Sequence, residues 1–264
     1  MARWIKWVLR LATVLLPLLL ALLHVTGVQR LEWLNRLEAA AYDARLLAMM
    51  PRTLDERIVI LDIDEKSLAE LGHWPWPRHH LARLVERLFD EQQVAVLGMD
   101  IVFAEADDRS GLGQLKALAE GELRNEPRFV ARLPELTRRL DHDQRFADAL
   151  RGRDVVLGYY FTSDRNGLRT GHLPPPVVTE ADLQAQGGAP FRATLWDGHG
   201  SNIAPLAEAA PRAGFFNPVV DSDGLVRALP LLARFEGAYY ESLSLAVLRT
   251  VSGGATVVPE VAPG

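Results

Sequence analysis

The feature that most restricts this chain is an uncharged stretch near its amino terminus. From Leu11 to Val28 it reads LATVLLPLLLALLHVTGV, 18 residues without a formal charge. At 1.5 Å per residue a helix of that length is about 27 Å long, enough for the hydrocarbon core of a bilayer. Arg3, Lys6 and Arg10 precede it, and Trp4 and Trp7 suit a membrane–water interface. Residues 1–10 are thus expected to be a cytoplasmic flank, and 11–28 a single transmembrane helix in the inner membrane. Everything beyond is then periplasmic or otherwise extracytoplasmic. A cleaved signal peptide shares these charged and apolar regions. The run is longer than a usual signal core, however, and no small-x-small cleavage site follows it. A buried helix of a soluble protein is the third reading, and the basic flank speaks against it.

Charge divides along the same line. Residues 1–30 carry +4 and the remaining 234 carry −9. An acidic body excludes a general nucleic-acid binder, whose phosphate contacts need a basic face. The chain has no cysteine. That removes disulfide scaffolds, thiolate zinc sites, iron–sulfur clusters and cysteine nucleophiles together.

Beyond the apolar run, residues 29–50 read as a juxtamembrane helix continuing directly from the first, with Leu31, Leu34, Leu37 and Ala41 along one face and Pro51 as its stop. The body, 51–264, reads as an α/β domain with a mostly parallel central sheet flanked by helices. RIVILDID, a nearly continuous apolar run from Ile58 to Ile63 broken only by Asp62, suits a strand buried on both faces. Leu81, Leu84, Val85 and Leu88 mark an amphipathic helix over 79–90. VAVLGMDIVF (94–103) then predicts a second strand and a βαβ unit. Residues 109–140 read as a helical insertion, 143–150 as a helix, and 154–161 as a third strand. The stretch 162–200 shows no clean period and is expected to be a lid, a binding loop or a mobile flap. A strand over 225–235, a helix over 241–251 and a strand from ATVV complete the reading.

The sharpest chemical constellation is acidic. Asp62 and Asp64 end the first predicted strand on one face, and Asp100 ends the second, with Glu105 and Asp107 close behind. The carboxyl edge of an open sheet is where α/β proteins bind ligands. Asp62, Asp64 and Asp100 are the candidate ligands for a divalent cation, the one cofactor the residues suggest. Against this stands a structural reading, in which Asp64 caps the next helix and Asp100 bonds amides in a turn. GHWPWPR (72–78) holds Trp74 and Trp76 on a stiff segment, because each precedes a proline. With Arg78 it forms an aromatic platform for an anionic or planar ligand, or a clamp whose arginine pairs with a nearby acid. GLGQLK lacks the third glycine of a dinucleotide fingerprint, and DSDG (221–224) reads as a turn rather than a calcium loop. His199 is a loop histidine without a motif, and no catalytic residue is identified.

In chain order, YDARL (42–46), RIVILDIDEKSLAELGHWPWPR (57–78), VAVLGMDIVFAEAD (94–107), DQRFADALRGRDVVLGYYF (143–161), AGFFNPVVDSDGLVRALPLL (213–232) and YYESLSLAVLR (239–249) resemble the CHASE sensor family of the second type. The resemblance implies an extracytoplasmic sensor domain of a bacterial transmembrane receptor whose output is an adenylate or guanylate cyclase, a diguanylate cyclase or a kinase, with adenylate or guanylate cyclase-linked members most similar. It carries over no ligand and no catalytic residue. The family's closing glycine-rich segment and return to the membrane are not found, so the chain is expected to be the input end of a longer receptor. The expected partners are the lipid bilayer, an unidentified small-molecule or ionic stimulus and a second copy of the chain; nucleic acid is not among them. The candidate stimulus-binding residues are Asp62, Asp64, Trp74, Trp76, Arg78, Asp100, Glu105 and Asp107. Two other readings stay open: a membrane-anchored metal-dependent hydrolase, and a dimerisation module that binds no ligand.

Overall fold

The computed structural model of the chain describes residues 2–29, 31–163, 166–185, 190–191 and 193–259, which divide into two units meeting between Asp62 and Ile63. The first unit holds α1 (Ala2–Val25) and α2 (Glu32–Met49). Within α1, Trp4–Val25 holds an 18-residue window of mean hydropathy 2.2 and is long and apolar enough to cross a membrane. It begins and ends earlier than the span of 11–28 read from charge alone. The two helices are not continuous. Gly27 turns the chain at φ +73°, and the ring of His24 accepts the Leu31 N–H at 3.0 Å.

RIVILDID forms no strand in this structure. Ile58, Val59, Ile60 and Leu61 are 57–88% exposed and join no strand ladder among the described residues. A strand exists only through the ladder it shares with a neighbour, and the described residues of the unit that holds this run form no other strand. The βαβ unit expected from this run is therefore absent.

The second unit opens with α3 (Glu65–Leu71) and α4 (Arg78–Glu86), extended by a π turn over Arg87–Glu91. Strand β1 covers only Leu97–Met99. Beyond Met99 a side chain replaces the ladder. The Asn202 Oδ1 accepts the Phe103 N–H at 2.9 Å and its Nδ2 donates to the Gly158 carbonyl at 3.0 Å. The helical insertion is present as α5 (Leu112–Glu120) and α6 (Pro127–Leu140), followed by α7 (His142–Leu150) and the long strand β2 (Val155–Thr162).

The stretch read as a flap contains ordered short elements: β3 (Arg169–Thr170), β4 (Val178–Thr179), α8 (Glu180–Ala185), β5 (Thr194–Leu195) and β6 (Gly198–Gly200). Its residues 164–165, 186–189 and 192 lie outside the described ones. Next come α9 (Ala204–Ala209), β7 (Arg212–Phe215), β8 (Val219–Val220), β9 (Val226–Ala228), β10 (Leu232–Phe235), β11 (Ala238–Glu241) and α10 (Leu243–Val251). The strand expected over 225–235 is two strands, because Pro230 has no N–H to give a ladder. DSDG is the turn between β8 and β9, with Gly224 at φ +83°. ATVV forms no strand.

The sheets are mixed, which corrects the mostly parallel expectation. Strand β2 pairs in parallel with β1 and β7 and antiparallel with β6. A second sheet runs β4–β11–β10–β5, antiparallel except for its last pair. The burial of β2 is nearly complete, as its apolar sequence requires. Phe161 is the hub of the core. Its ring lies 5.3 Å from that of Tyr159, 5.6 Å from Phe235, 5.7 Å from Tyr240 and 5.8 Å from Phe215. On the helical side α4 and α7 bury Leu81, Val85, Phe146 and Leu150.

Candidate functional site

The segment that leaves β1 and the segment that enters α4 enclose a cavity of about 950 Å³ in the second unit. Its walls include Ile63, Leu68, Trp74, Trp76, Ile101, Val102 and Phe216 on the apolar side. Arg78, Asp100, Glu105, Asp107, Asp108 and Arg109 line the polar side. Volumes of this order hold small organic ligands.

The wall is fastened by one carboxylate. Asp107 accepts the Arg78 N–H at 2.9 Å, the Arg109 N–H at 3.1 Å and the ring of His142 at 3.3 Å. Its side chain is only 5% exposed. Burial pushes the Asp107 carboxyl up, but the N–H groups of Arg78 and Arg109 and the His142 ring outweigh it and hold it below the usual carboxylate range. A second carboxylate completes the junction. Asp143, in the first turn of α7, accepts the Asp107 N–H at 2.8 Å and the Arg78 Nε at 3.3 Å. The carboxylate cap Asp141 sets the start of α7 by accepting the Gln144 N–H at 2.9 Å.

Both wall arginines are engaged. Arg78 also donates to the Glu105 carbonyl at 3.0 Å and lies 4.4 Å above the Phe103 ring. Burial lowers its pKa while Asp143 and Asp107 oppose that shift, and the guanidinium stays cationic. Arg109 donates to the Pro75 carbonyl. Trp76 is buried, its indole N–H held by the Gly72 carbonyl at 2.8 Å. Trp74, 37% exposed, stands edge-on to Trp76 with centroids 5.8 Å apart. Three carboxylates of the wall, Asp100, Glu105 and Asp108, are exposed and carry no hydrogen bond or ion pair among the described residues.

Of the eight residues singled out in the sequence, six share this cavity: Trp74, Trp76, Arg78, Asp100, Glu105 and Asp107. Asp64 instead caps α3, accepting the Ser67 N–H at 2.8 Å and its hydroxyl at 2.6 Å. Asp62 closes the other unit and is exposed. Among the described residues no group of three or more His, Cys, Asp or Glu side chains is placed to hold a metal ion. Sequence reasoning missed His142, Asp143 and Arg109. The first two belong to a legible helix start, but nothing local shows that it meets a segment some 65 residues earlier.

Comparison with known families places the molecule. The family model of the CHASE2 domain matches residues 16–260. The chain belongs to the CHASE2 family. CHASE2 domains are extracytoplasmic sensor domains and not catalytic ones, so the residues described form a sensor. No curated protein and no solved structure matches the chain. Within this CHASE2 chain the cavity is therefore read as part of a sensor, with the tryptophan–proline segment and the loop after β1 as its walls.

Proposed function

We propose that this CHASE2 chain is the input region of a bacterial membrane receptor, and that its cavity binds an organic cation with an apolar body. The observation that carries the ligand class is which polar groups of the wall remain unengaged. Arg78 is engaged by Asp143 and the Glu105 carbonyl, and Arg109 by the Pro75 carbonyl, so part of their donor capacity and charge is already answered within the protein. Asp100, Glu105 and Asp108 are unpaired among the described residues, and the partly exposed Trp74 lines the same cavity. Carboxylates next to an indole favour an ammonium, and the apolar wall favours a hydrophobic body attached to it. Of the two roles the sequence left open for Arg78, a platform for an anionic or planar ligand and a clamp paired with an acid, this reading takes the clamp.

Three ligands of matched shape test the proposal: phenethylammonium, phenethyl alcohol and phenylacetate, added to the full chain in a mild detergent. The ammonium is expected to raise the unfolding temperature and to bind at least about tenfold more tightly than phenylacetate. A triple variant Asp100→Asn, Glu105→Gln, Asp108→Asn should lose that preference. Equal binding of all three, or preference for phenylacetate, would refute the ligand class.

In this reading α1 anchors the receptor in the inner membrane with its basic flank in the cytoplasm, and the second unit lies outside. The helical insertion and the Val155–Phe161 stretch favour an adenylate or guanylate cyclase as output. The ligand acts by binding one conformation more tightly than another. The chain leads from Ile63 on the cavity wall back to α2, which we take as the mechanical link and the dimer contact. No residue of α2 is buried, and Trp33, Leu37, Ala40, Ala44 and Leu47 recur at alternating steps of four and three, the spacing of a two-helix seam. In this cysteine-free chain Ala44→Cys is expected to form a disulfide-linked dimer in membranes, and Glu38→Cys, off the seam, to form far less. Equal cross-linking of the two would remove α2 as the contact.

A further inference from the structure

The first turns of α4 and α7 bring three histidines together behind the cavity wall. His79 and His80 lie in the first turn of α4, and His142 opens α7. The His79 ring centroid lies 4.2 Å from that of His80 and 4.4 Å from that of His142. The Nδ1 of His142 stands 3.3 Å from the Nδ1 of His79 and 3.3 Å from Oδ2 of Asp107. A single hydrogen serves both contacts when it sits on His142 and is shared between the Asp107 carboxylate and the bare Nδ1 of His79. With the hydrogen on His79 instead, the His142 lone pair would face an anion. His79 is therefore neutral, its hydrogen on Nε2. A proton added to its Nδ1 would set two N–H groups head to head.

We infer that this contact is a proton-operated latch: protonation of His79 parts it from His142, weakens the Asp107 clamp, and frees the 74–78 strap and the 104–110 loop around the cavity. The groups facing His79 make the response one-sided. His80 and Arg83 approach from α4, and His142 and Arg145 from α7, all cationic when charged. The carboxylate of Asp107 reaches His79 only through His142, and Asp143 is engaged by Arg78 and the Asp107 N–H. Burial first, and then these cations, bring His79 from its ordinary 6.5 down to about 4. The sign follows from linkage. An unlatched His79 takes up its proton near 6.5, whereas the latched one resists until about 4. The latched form is thus fully favoured above 6.5, loses favour as pH falls, and levels off below about 4. Asp107 acts in the same direction, since its depressed pKa contributes stability that is lost as its carboxylate protonates.

The inference deepens the reading of the cavity as a ligand site by giving that site a regulator, and it rests on that reading for its consequence. It is tested without ligand, so that failure of one leaves the other standing. Hydrogen exchange of the full chain in detergent is followed by mass spectrometry from about pH 7 to about pH 4, corrected for intrinsic rates. Protection at 78–80 and 105–109 is expected to fall at least about tenfold over that range while β2 stays protected. In His79→Gln the fall should vanish. No local fall in the wild type, or the same fall in His79→Gln, would overturn the latch. If His79→Gln does not fold, the imidazole titration of wild-type His79 decides. A midpoint well below 6.5 supports the latch, and a midpoint at or above 6.5 overturns it.

Discussion

Replacing Asp107 by alanine is expected to lower the stability of the sensor unit by about 3 kcal/mol and to abolish the phenethylammonium-induced stabilisation. The carboxylate holds two backbone N–H groups and a histidine ring on three different parts of the chain: the start of α4, the loop after β1 and the start of α7. It is nearly sealed from water, so its removal leaves those donors without replacement. For a unit of this size the loss corresponds to a fall in unfolding temperature of about 6–12 °C. Asp107→Asn keeps one acceptor oxygen and should cost less, about 1 kcal/mol, while losing the charge that complements Arg78. The ordering wild type, then Asn, then Ala at pH 7 is the result to look for in thermal unfolding with and without ligand. An Ala variant that melts with the wild type would show that Asp107 does not fasten the wall.

A second large effect is expected at the centre of the core. Phe161→Ala should destabilise by about 3–5 kcal/mol, because it removes a ring packed against four other aromatic rings within 6 Å and leaves a cavity that rigid strands cannot close. The backbone of the residue is pinned as well. Its N–H and carbonyl are both held by the Asn217 side chain, at 2.7 and 2.9 Å, so collapse into the space is opposed. Urea unfolding should show a lower midpoint at an unchanged slope. Leu225→Ala in the exposed β8–β9 turn is the control, expected to stay within about 0.5 kcal/mol of wild type. A Phe161→Ala midpoint equal to that of the control would mean the sheets are not joined through this ring.

Both effects bear on how much of the molecule could be read in advance. The helix at α4 followed from apolar spacing, and α10 ends at Val251, where the helix read over 241–251 was expected to end. Strand β2 was legible because a run buried on both faces needs no alternation. Strands β3, β4 and β5 were not, since two residues carry no period. The apolar run at Ile58–Ile63 misled for a related reason. Hydrophobicity and β-propensity describe a segment that would pair well, and say nothing about whether a neighbour is present. At the site, six of the eight candidate residues do share one wall. The role of Asp64 was local, the helix cap already read in the sequence, whereas that of Arg78 needed Asp143, 65 residues on, and Asp100 has no partner among the described residues.

What belonged to the residues alone was therefore everything decided within a few positions of the chain: the membrane-length apolar helix, the caps, the stops and the separation of charge. The fold supplied what depends on distant neighbours. A hydrogen bond or ion pair removes a group from the set available to a ligand, and those bonds form between segments that no local pattern connects. Arg78 thus passed from candidate ligand group to structural fastener, while Asp100, Glu105 and Asp108 are left without a partner among the described residues.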